Sequence, residues 1–404
     1  MLTQSTLLDR VNKKIHNSKA KLGGDDELVK ILNEANKRLQ LSVDMPSTKR
    51  ISTPFFVFRN IFEYPLPTDI AYDKTTQFKF EKEEQRGSSF EKTHPKYLFD
   101  NRNPYLSRDL GSYDIIGAND TRFYNDINTV AVQWENGNPY LKVKSVYGDD
   151  SVTLNNCDTI TTNGTWSASG DATNLRTDNI RYKQGSGALS FDSGGSSTEL
   201  VVTNSDITAV DLSGYEKKSK LFLWLSIPAT VPASVTLKWG SDNSNYWSKT
   251  ITTKQSGLAF IPGWNLLGFD WENSTETGTV DEENIDYLEV TIANSAAVAQ
   301  TGYRLDSIQA FIGQECSLDY YSKYLVVSNA GVRKEDFDAS DDQTILNEKE
   351  VILLIDEAAQ IASENLREDK EAINRERIKK ENIALFQADQ PSEEEYDSNT
   401  YYNC

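Results

Sequence analysis

Cysteine, histidine and long apolar runs are scarce in this chain of 404 residues. The three cysteines, Cys157, Cys316 and Cys404, match no disulfide framework and no zinc spacing, so we expect Cys157 and Cys316 to be free thiols rather than a bridge. Two histidines, His16 and His94, leave little material for a catalytic triad or a histidine-rich metal site. No apolar run approaches the roughly 18 residues of a membrane-spanning helix.

Motifs of enzyme chemistry are also missing from the sequence. It contains no phosphate-binding loop of the Walker type, no dinucleotide fingerprint and no Cys-x-x-Cys pair. The stretch DASDDQTILNEK resembles a calcium loop, but it lacks the central glycine and ends in Lys349 where a bidentate glutamate is required. Acidic residues are abundant enough to leave a glycosidase-type carboxylate pair open. We expect a protein that is not an enzyme and needs no cofactor.

Basic residues are outnumbered by acidic ones, 42 to 61, which gives a formal net charge of −19. This balance argues against a nucleic-acid groove, because phosphate binding needs clustered lysine and arginine. It favours solubility or a basic protein partner. The opening MLTQSTLLDRVNKK lacks the apolar segment of a signal peptide, so we expect a chain retained in a cytosol, without a membrane partner.

Helical periodicity is confined to the two ends of the chain. A first helix carries Leu8, Val11 and Ile15 and stops at Gly23-Gly24, and a second is capped by Asp25 and ends before Pro46. Near the other end, Asn347 to Glu350 forms a capping box that opens the longest helix, on the order of 60 Å if it continues to Pro391. Its apolar seam has alternating spacings of three and four. The seam residues are Ile352, Ile355, Ala359, Ala362 and Leu366.

The middle of the chain has the texture of β-strands. The segment NTVAVQWENGNPYLKVKSV predicts a hairpin that turns at Asn136-Gly137. From about residue 152 onward, short strand-length runs alternate with turns rich in Ser, Thr, Gly and Asn, which predicts a β-sandwich or jelly roll. Within it, GWNLLGFDW (263–271) is interpreted as a structural strand that places at least one of Trp264 and Trp271 between the sheets.

Together these patterns predict an α+β protein. A helical bundle, made of two N-terminal helices and one long C-terminal helix, is combined with a β-rich segment and an inserted antiparallel β-sandwich or jelly roll. The predicted boundaries are, in chain order, a helical hairpin (1–46), the β-rich segment (47–151), the sandwich (152–315), the long helix (316–391) and a C-terminal arm (392–404).

The ends of the chain resemble a known family. The two opening helices, the phrases DMPSTKR and FEYPLPTDI, and the later YYSKYLVV and DDQTILNEKEVILLIDEAAQIA are similar to head-to-tail connector (adaptor) proteins of tailed bacteriophages. The resemblance covers roughly the first 150 and the last 90 residues. It implies a homo-oligomeric, dodecameric ring that docks on the portal protein and joins it to tail or nozzle components. It places the protein in the neck or tail of a virion assembled in the host cytoplasm.

Candidate partner-binding residues lie on the long helix and in the arm. A helix longer than a small domain can cover would meet another chain, which singles out Ile352 and Ile355. In the arm, Tyr396, Tyr401 and Tyr402 are candidate anchors on a neighbouring subunit or on the portal, although plain disorder explains this polar tail equally well.

The sandwich segment carries a second resemblance. QGSGALSFD, DLSGY, GWNLLGFDW and YRLDSIQAFIG are similar to jelly-roll modules of the carbohydrate-binding type, in which an aspartate at the place of Asp306 helps to hold a structural calcium ion. The resemblance implies the alternative function of a carbohydrate-binding protein, for adsorption to host-surface glycans or as an accessory module of a glycosidase.

Aromatic residues beside polar ones would be needed to bind a sugar. The loop GSDNSNYW offers them, and a protein interface is the alternative use of the same residues. The candidates are Trp239, Asp242, Asn243, Asn245, Tyr246 and Trp247.

Overall fold

The computed structural model of the chain describes residues 2–58, 61–80, 91–92, 129–136, 138–144, 151–215, 218–366 and 369–388. The protein is a mixed α+β structure made mostly of β-sheets, and it divides into two compact units. The helical unit comprises residues 1–52, 67–76 and 318–404, and the β unit comprises 53–66 and 77–317. Within the described ranges, every helix is too short or too polar to cross a membrane.

Helices occupy both ends of the described chain. Their bounds are α1 (Gln4–Lys14), α2 (Lys19–Leu22), α3 (Asp25–Ser42), the 3-10 turn Pro46–Thr48, α4 (Glu348–Asn365) and α5 (Asp369–Ala388). The predicted capping box is confirmed, because the Asn347 side chain accepts the Glu350 N–H and the Glu350 carboxylate accepts the Asn347 N–H. The predicted cap Asp25 is instead the first residue of α3, and Gly24 precedes it as the N-cap. Three acidic residues in that first turn complement the helix dipole.

One apolar core joins the helices of the helical unit. Side chains from α1, α3 and α4 meet in it, and Phe386 of α5 reaches the same cluster. Its most completely buried members include Leu7, Val11, Leu32, Leu39 and Leu354. The apolar residues that recur every three or four positions along α3 are the residues of that helix that this core buries.

The single long C-terminal helix was a wrong prediction. The structure breaks it after Asn365, and α5 folds back along α4, where Lys379 forms an ion pair with Glu357 at 2.9 Å and Asn382 donates to Asp356 at 2.7 Å. The apolar repeat fails between Leu366 and Ile373, so no stripe is available there to hold an extended helix against a partner. Each helix is then only about 27–30 Å long.

Small sheets accompany the helices and the hairpin. One has the order β1 (Lys49–Ile51), β20 (Gln314–Ser322), β2 (Phe55–Val57), with β4 (Ile70–Phe80) also on β20. Another has the order β22 (Arg333–Lys334), β21 (Val326–Val327), β23 (Gln343–Thr344). The third has the order β3 (Glu63–Tyr64), β7 (Asn138–Lys144), β6 (Thr129–Glu135), β5 (Glu91–Lys92). Antiparallel pairing of β6 with β7 and the positive φ of Asn136 confirm the predicted hairpin.

Two six-stranded sheets form the predicted sandwich. The β13 sheet has the order β10 (Ala172–Asp178), β11 (Ala188–Ser193), β19 (Gln300–Ile312), β13 (Ser219–Ile227), β16 (Gly263–Asp270), with β8 (Ser151–Asn155) also on β19. The β14 sheet has the order β17 (Thr275–Thr277), β15 (Tyr246–Ile251), β14 (Ser234–Gly240), β18 (Tyr287–Ala293), β12 (Glu199–Asn204), β9 (Trp166–Gly170). All their pairings are antiparallel.

The sandwich core is filled by alternate residues of these strands. Leu221, Leu223 and Leu225 of β13 point into it and are fully buried. Trp271 also lies there, with its ring 5.4 Å from that of Trp239 in an edge-on arrangement, which confirms the interpretation of GWNLLGFDW as a structural strand.

Buried thiols behave as expected from the sequence. Cys157 and Cys316 are both buried, and neither forms a disulfide within the described residues. Burial raises the pKa of the Cys157 thiol well above its ordinary value, so it remains protonated and packs as a small apolar side chain.

A buried carboxylate fixes the loop after β11. Asp171 accepts hydrogen bonds from the hydroxyls of Ser193 and Ser196, at 2.6 and 2.7 Å, and from the N–H groups of Gly195, Ser196 and Ser197. The two hydroxyls, followed by the N–H groups, hold the pKa of Asp171 well below its ordinary value. A lowered pKa means that the ionised carboxylate stabilises the fold.

We predict that Asp171→Asn lowers the free energy of unfolding at pH 7, and that this loss shrinks as the pH falls. Because the pKa is lowered in the folded state, the contribution is complete above the unfolded value of about 4 and disappears as the pH falls towards the folded value. Urea unfolding at pH 7, 5, 4 and 3 measures it. Ser196→Ala removes one donor and should give a smaller loss in the same direction, and a pH-independent difference would contradict this assignment.

We also predict that Glu350→Gln destabilises the helical unit by about 1–3 kcal/mol, because one of two buried N–H donors would face an amide N–H₂ group. The Glu350 side chain is fully buried and accepts from the N–H of Ser47 at 3.0 Å and of Asn347 at 2.8 Å. Thermal unfolding followed by circular dichroism measures the effect. Glu348→Gln is the matched control, since Glu348 lies exposed in the same first turn and should leave the transition unchanged.

Candidate functional site

The loop predicted to bind a ligand is a hairpin turn whose polar side chains hold its own backbone. Asp242 accepts the N–H groups of Ser244 and Asn245, at 2.6 and 2.9 Å, and the Asn245 side-chain amide at 2.9 Å. Asn245 in turn accepts the N–H of Thr279 at 2.9 Å. The Asn245 amide and these N–H groups lower the pKa of Asp242. Asp242 and Asn245 therefore close the turn between β14 and β15, and Asn243 contacts only Ser244 within it.

Of the three aromatic residues beside this turn, Trp239 and Trp247 are directed into the core of the sandwich. Trp247 packs on Trp271 at 6.1 Å between ring centroids, and Trp239 is fully buried. The ring of Tyr246 lies under the Lys238 ammonium at 4.8 Å, and its centroid is 6.5 Å from that of Tyr287. Tyr246 alternates with Trp247 along β15, so it lies half-buried on the other face of the sheet, where the Lys238 ammonium covers one side of its ring.

Asp306 is the anchor of a neighbouring loop. Its Oδ2 accepts the N–H of Lys183 at 2.5 Å and of Gln184 at 3.1 Å, while its buried Oδ1 has no hydrogen-bond partner within the described ranges. Burial raises the pKa of Asp306. Oδ1 would be the oxygen that meets a calcium ion, but no cluster of three acidic, histidine or cysteine side chains suited to a metal occurs in the described parts of the chain. The calcium ion stays a prediction.

The predicted partner-binding residues separate into three groups. Ile355 is buried in the core of the helical unit, so it is not part of a surface. Ile352, on the same helix, is 49% exposed. Tyr396, Tyr401 and Tyr402 lie outside the described residues.

A cavity of about 250 Å³ lies on the outer face of the β13 sheet, where the sequence had suggested no site. Strands β13, β16 and β19 supply its walls, because their residues alternate with those that enter the core. The apolar side chains that line it belong to Ile61, Phe222, Trp224, Leu266 and Phe311. The polar lining comprises Ser151, Gln184, Ser307 and Gln309.

Hydrogen bonds hold the polar side of this cavity in place. The Gln184 side-chain oxygen lies 2.7 Å from the Ser307 hydroxyl and 3.2 Å from the Gln309 amide nitrogen, and both donate to it. Gln309 also donates to the Thr153 hydroxyl at 3.2 Å. Amide and hydroxyl groups thus lie beside aromatic and aliphatic side chains in one cavity. Such a combination can contact the apolar face of a ligand and its hydroxyl groups at once.

The sequence contained one indication of this site. In the run KLFLWLSI, the leucines at 221, 223 and 225 share one parity, and Phe222 and Trp224 share the other. The alternation predicts that aromatic side chains occupy the face away from the core. Their neighbours Leu266 and Gln309 come from distant parts of the chain, and only strand pairing brings them beside β13.

Comparison with known proteins concerns this β-sandwich. No known protein family and no curated protein matches the sequence. Similar solved structures include the family 11 carbohydrate-binding module from Clostridium thermocellum in complex with a β-1,3-1,4-mixed-linked tetrasaccharide, at 13% identity and a TM-score of 0.30, over 41% of this chain and 96% of that one. A family 30 carbohydrate-binding module is similar at 10% identity and a TM-score of 0.31, over 41% and 88%.

An exo-β-agarase is also similar, at 9% identity and a TM-score of 0.29, over 40% of this chain and 25% of that one. Identities and scores this low concern the fold alone and carry no argument about function. They give no support to the connector resemblance of the two chain ends.

Proposed function

We propose that the β unit is a carbohydrate-binding domain whose ligand occupies the cavity on the outer face of the β13 sheet. The observation that carries this proposal is the pairing of an aromatic wall, Phe222 and Trp224, with the amide and hydroxyl groups of Gln184, Ser307 and Gln309. A pyranose has apolar C–H faces ringed by hydroxyl groups, so it needs both kinds of contact.

The volume of the cavity suits a single sugar residue. Pockets for drug-sized ligands measure about 300–1,000 Å³, and this cavity of about 250 Å³ is slightly smaller. A single sugar residue of a longer polymer, with its neighbours lying along the sheet, is the ligand that such a volume suits.

Binding without hydrolysis is the activity that we propose. Hydrolysis of a glycosidic bond ordinarily requires two carboxyl groups on either side of the bond. The described residues that line the cavity include no aspartate or glutamate. Recognition of glycans, for adsorption to a surface or beside a separate glycosidase, is therefore the role that these residues support.

We predict that Trp224→Ala weakens retention on the bound polysaccharide at least tenfold, which corresponds to about 1.4 kcal/mol. Affinity electrophoresis against a panel of soluble polysaccharides identifies a ligand and measures the change. Trp247→Phe, on the β14 sheet, is the matched control and should retain full binding. Circular dichroism confirms that both variants are folded, and equal retention by Trp224→Ala and the wild type would refute the site.

A second candidate function is assembly of a head-to-tail connector ring on a portal protein, within the neck or tail of a virion assembled in the host cytoplasm. One observation favours an interface on the helical unit: Ile352, Ile373 and Leu385 expose 49%, 68% and 67% of their surface. Large apolar side chains are common where protein surfaces meet. The portal and the tail or nozzle components are the partners that this candidate implies.

For this second candidate, we predict that the protein forms particles much heavier than the single 45.5-kDa chain, either alone or when mixed with a bacteriophage portal protein. Light scattering after size-exclusion chromatography measures the particle mass. Ile352→Glu should reduce the assembly to single chains, because a buried charge in an interface is costly. Val298→Glu, an exposed position of the β unit, should not. A 45.5-kDa particle under both conditions would exclude ring formation.

A further inference from the structure

The loop formed by residues 179–187, here called the Lys183 loop, borders the proposed sugar-binding cavity and is fixed at two points. Asp306 holds the N–H groups of Lys183 and Gln184. Asp158 holds the N–H groups of Ser186 and Gly187, at 2.8 and 3.1 Å. The loop therefore presents its side chains from a defined position, and one of them, Gln184, lines the cavity.

Lys183 places its ammonium group over the ring of Trp224. The distance from Nζ to the ring centroid is 4.7 Å, within the range of a cation–π contact. One face of the indole is thereby covered by a positive charge. A sugar that contacts Trp224 would lie within reach of that charge.

Three other cations on the outer face of the β13 sheet are neutralised by neighbouring carboxylates. Arg176 pairs with Asp192 at 2.9 Å, Lys220 with Asp270 at 2.8 Å, and Arg304 with Asp178 at 2.6 Å. In each pair the carboxylate offsets the positive charge of the cation, so the cation attracts an anionic ligand only weakly.

Lys183 and the exposed Arg181 differ from these paired cations. Among the described residues, neither has a carboxylate at ion-pair distance. Asp306 and Glu63 interact with Lys183 through their charges, but neither forms an ion pair with it. Asp306 directs its Oδ2 at the backbone N–H groups of Lys183 and Gln184 and not at the Lys183 ammonium.

We propose that the cavity takes an acidic glycan, a chain whose sugar rings carry carboxylate or sulfate groups, and that Lys183 contacts the anionic group while Trp224 contacts the ring. This inference rests on the proposed function. Although the chain has a net charge of −19, Lys183 lies beside an aromatic wall with no carboxylate at ion-pair distance among the described residues. A charged group on the ligand would supply the partner that Lys183 lacks.

The test compares pairs of polymers that share a backbone, one acidic and one neutral. Wild-type protein is titrated calorimetrically with polygalacturonate and with its methyl ester, and with dextran sulfate and dextran, at low and at 0.5 M salt. We expect at least tenfold tighter binding of one acidic polymer than of its neutral counterpart. High salt should reduce this preference, because it screens charges beyond a few ångströms. The acidic polymer that is preferred identifies carboxylate or sulfate as the recognised group.

Variants separate this inference from the proposed function. Lys183→Gln should reduce the preference for the acidic polymer at least tenfold. Lys220→Gln should keep that preference, because Lys220 lies on the same sheet face but already pairs with a carboxylate. If a glycan binds in a Trp224-dependent manner but equally well with and without its charge, only the acidic specificity is refuted. If none of these four polymers binds but a neutral polysaccharide of the wider panel does, the acidic specificity is refuted. If no polysaccharide of that panel binds either, or if Trp224→Ala binds as the wild type does, the proposed function fails together with it.

Discussion

Strand β13 constrains both the core and the candidate site, because side chains alternate between its two faces. Leu221, Leu223 and Leu225 fill the space between the sheets, and Phe222 and Trp224 are thereby placed on the outer face. The register with β16 and β19 then decides which side chains stand beside them. A slip of one residue would bring the aromatic pair into the core and expose the leucines. The packing of the sandwich and the composition of the cavity are therefore consequences of the same register.

Local patterns predicted the parts of the structure that depend on neighbouring residues. The capping box at Asn347 and the hairpin at Asn136 involve partners only a few positions apart, so the sequence contains all the information they need. The cavity depends on pairs such as Phe222 with Gln309 and Trp224 with Leu266, which no local pattern specifies. The loop at Asp242 was attractive for its composition, yet that composition serves its turn, since Asp and Asn side chains bind nearby N–H groups readily.

The helices at the two ends of the chain also show what a local sequence pattern leaves undetermined. Spacing along α4 identified an apolar seam, and the core of the helical unit does cover Ile355 and Ala359. Whether a seam meets another subunit or the next helix of the same chain cannot be decided from its period. The break after Asn365 allows α5 to return along α4, and ion pairs such as Lys379 with Glu357 then join the two helices. The periodicity of a helix identifies the apolar face that another element must bury. The length of the interruption in that periodicity decides whether the next helix of the same chain can fold back and bury it.

The acidic excess of the chain has an internal explanation in many places. Asp171, Asp158, Asp242 and Asp306 each accept two or more N–H groups of a loop or turn. A sandwich with many turns needs such acceptors, because loop N–H groups have no strand to pair with. The net charge of −19 is thus partly a product of the way the loops are built, and it is weak evidence for a basic partner. Against that background, cations without carboxylate partners carry more information about a ligand than the overall charge does. Lys183, held beside Trp224 by a loop that Asp306 anchors, is the clearest such position among the described residues.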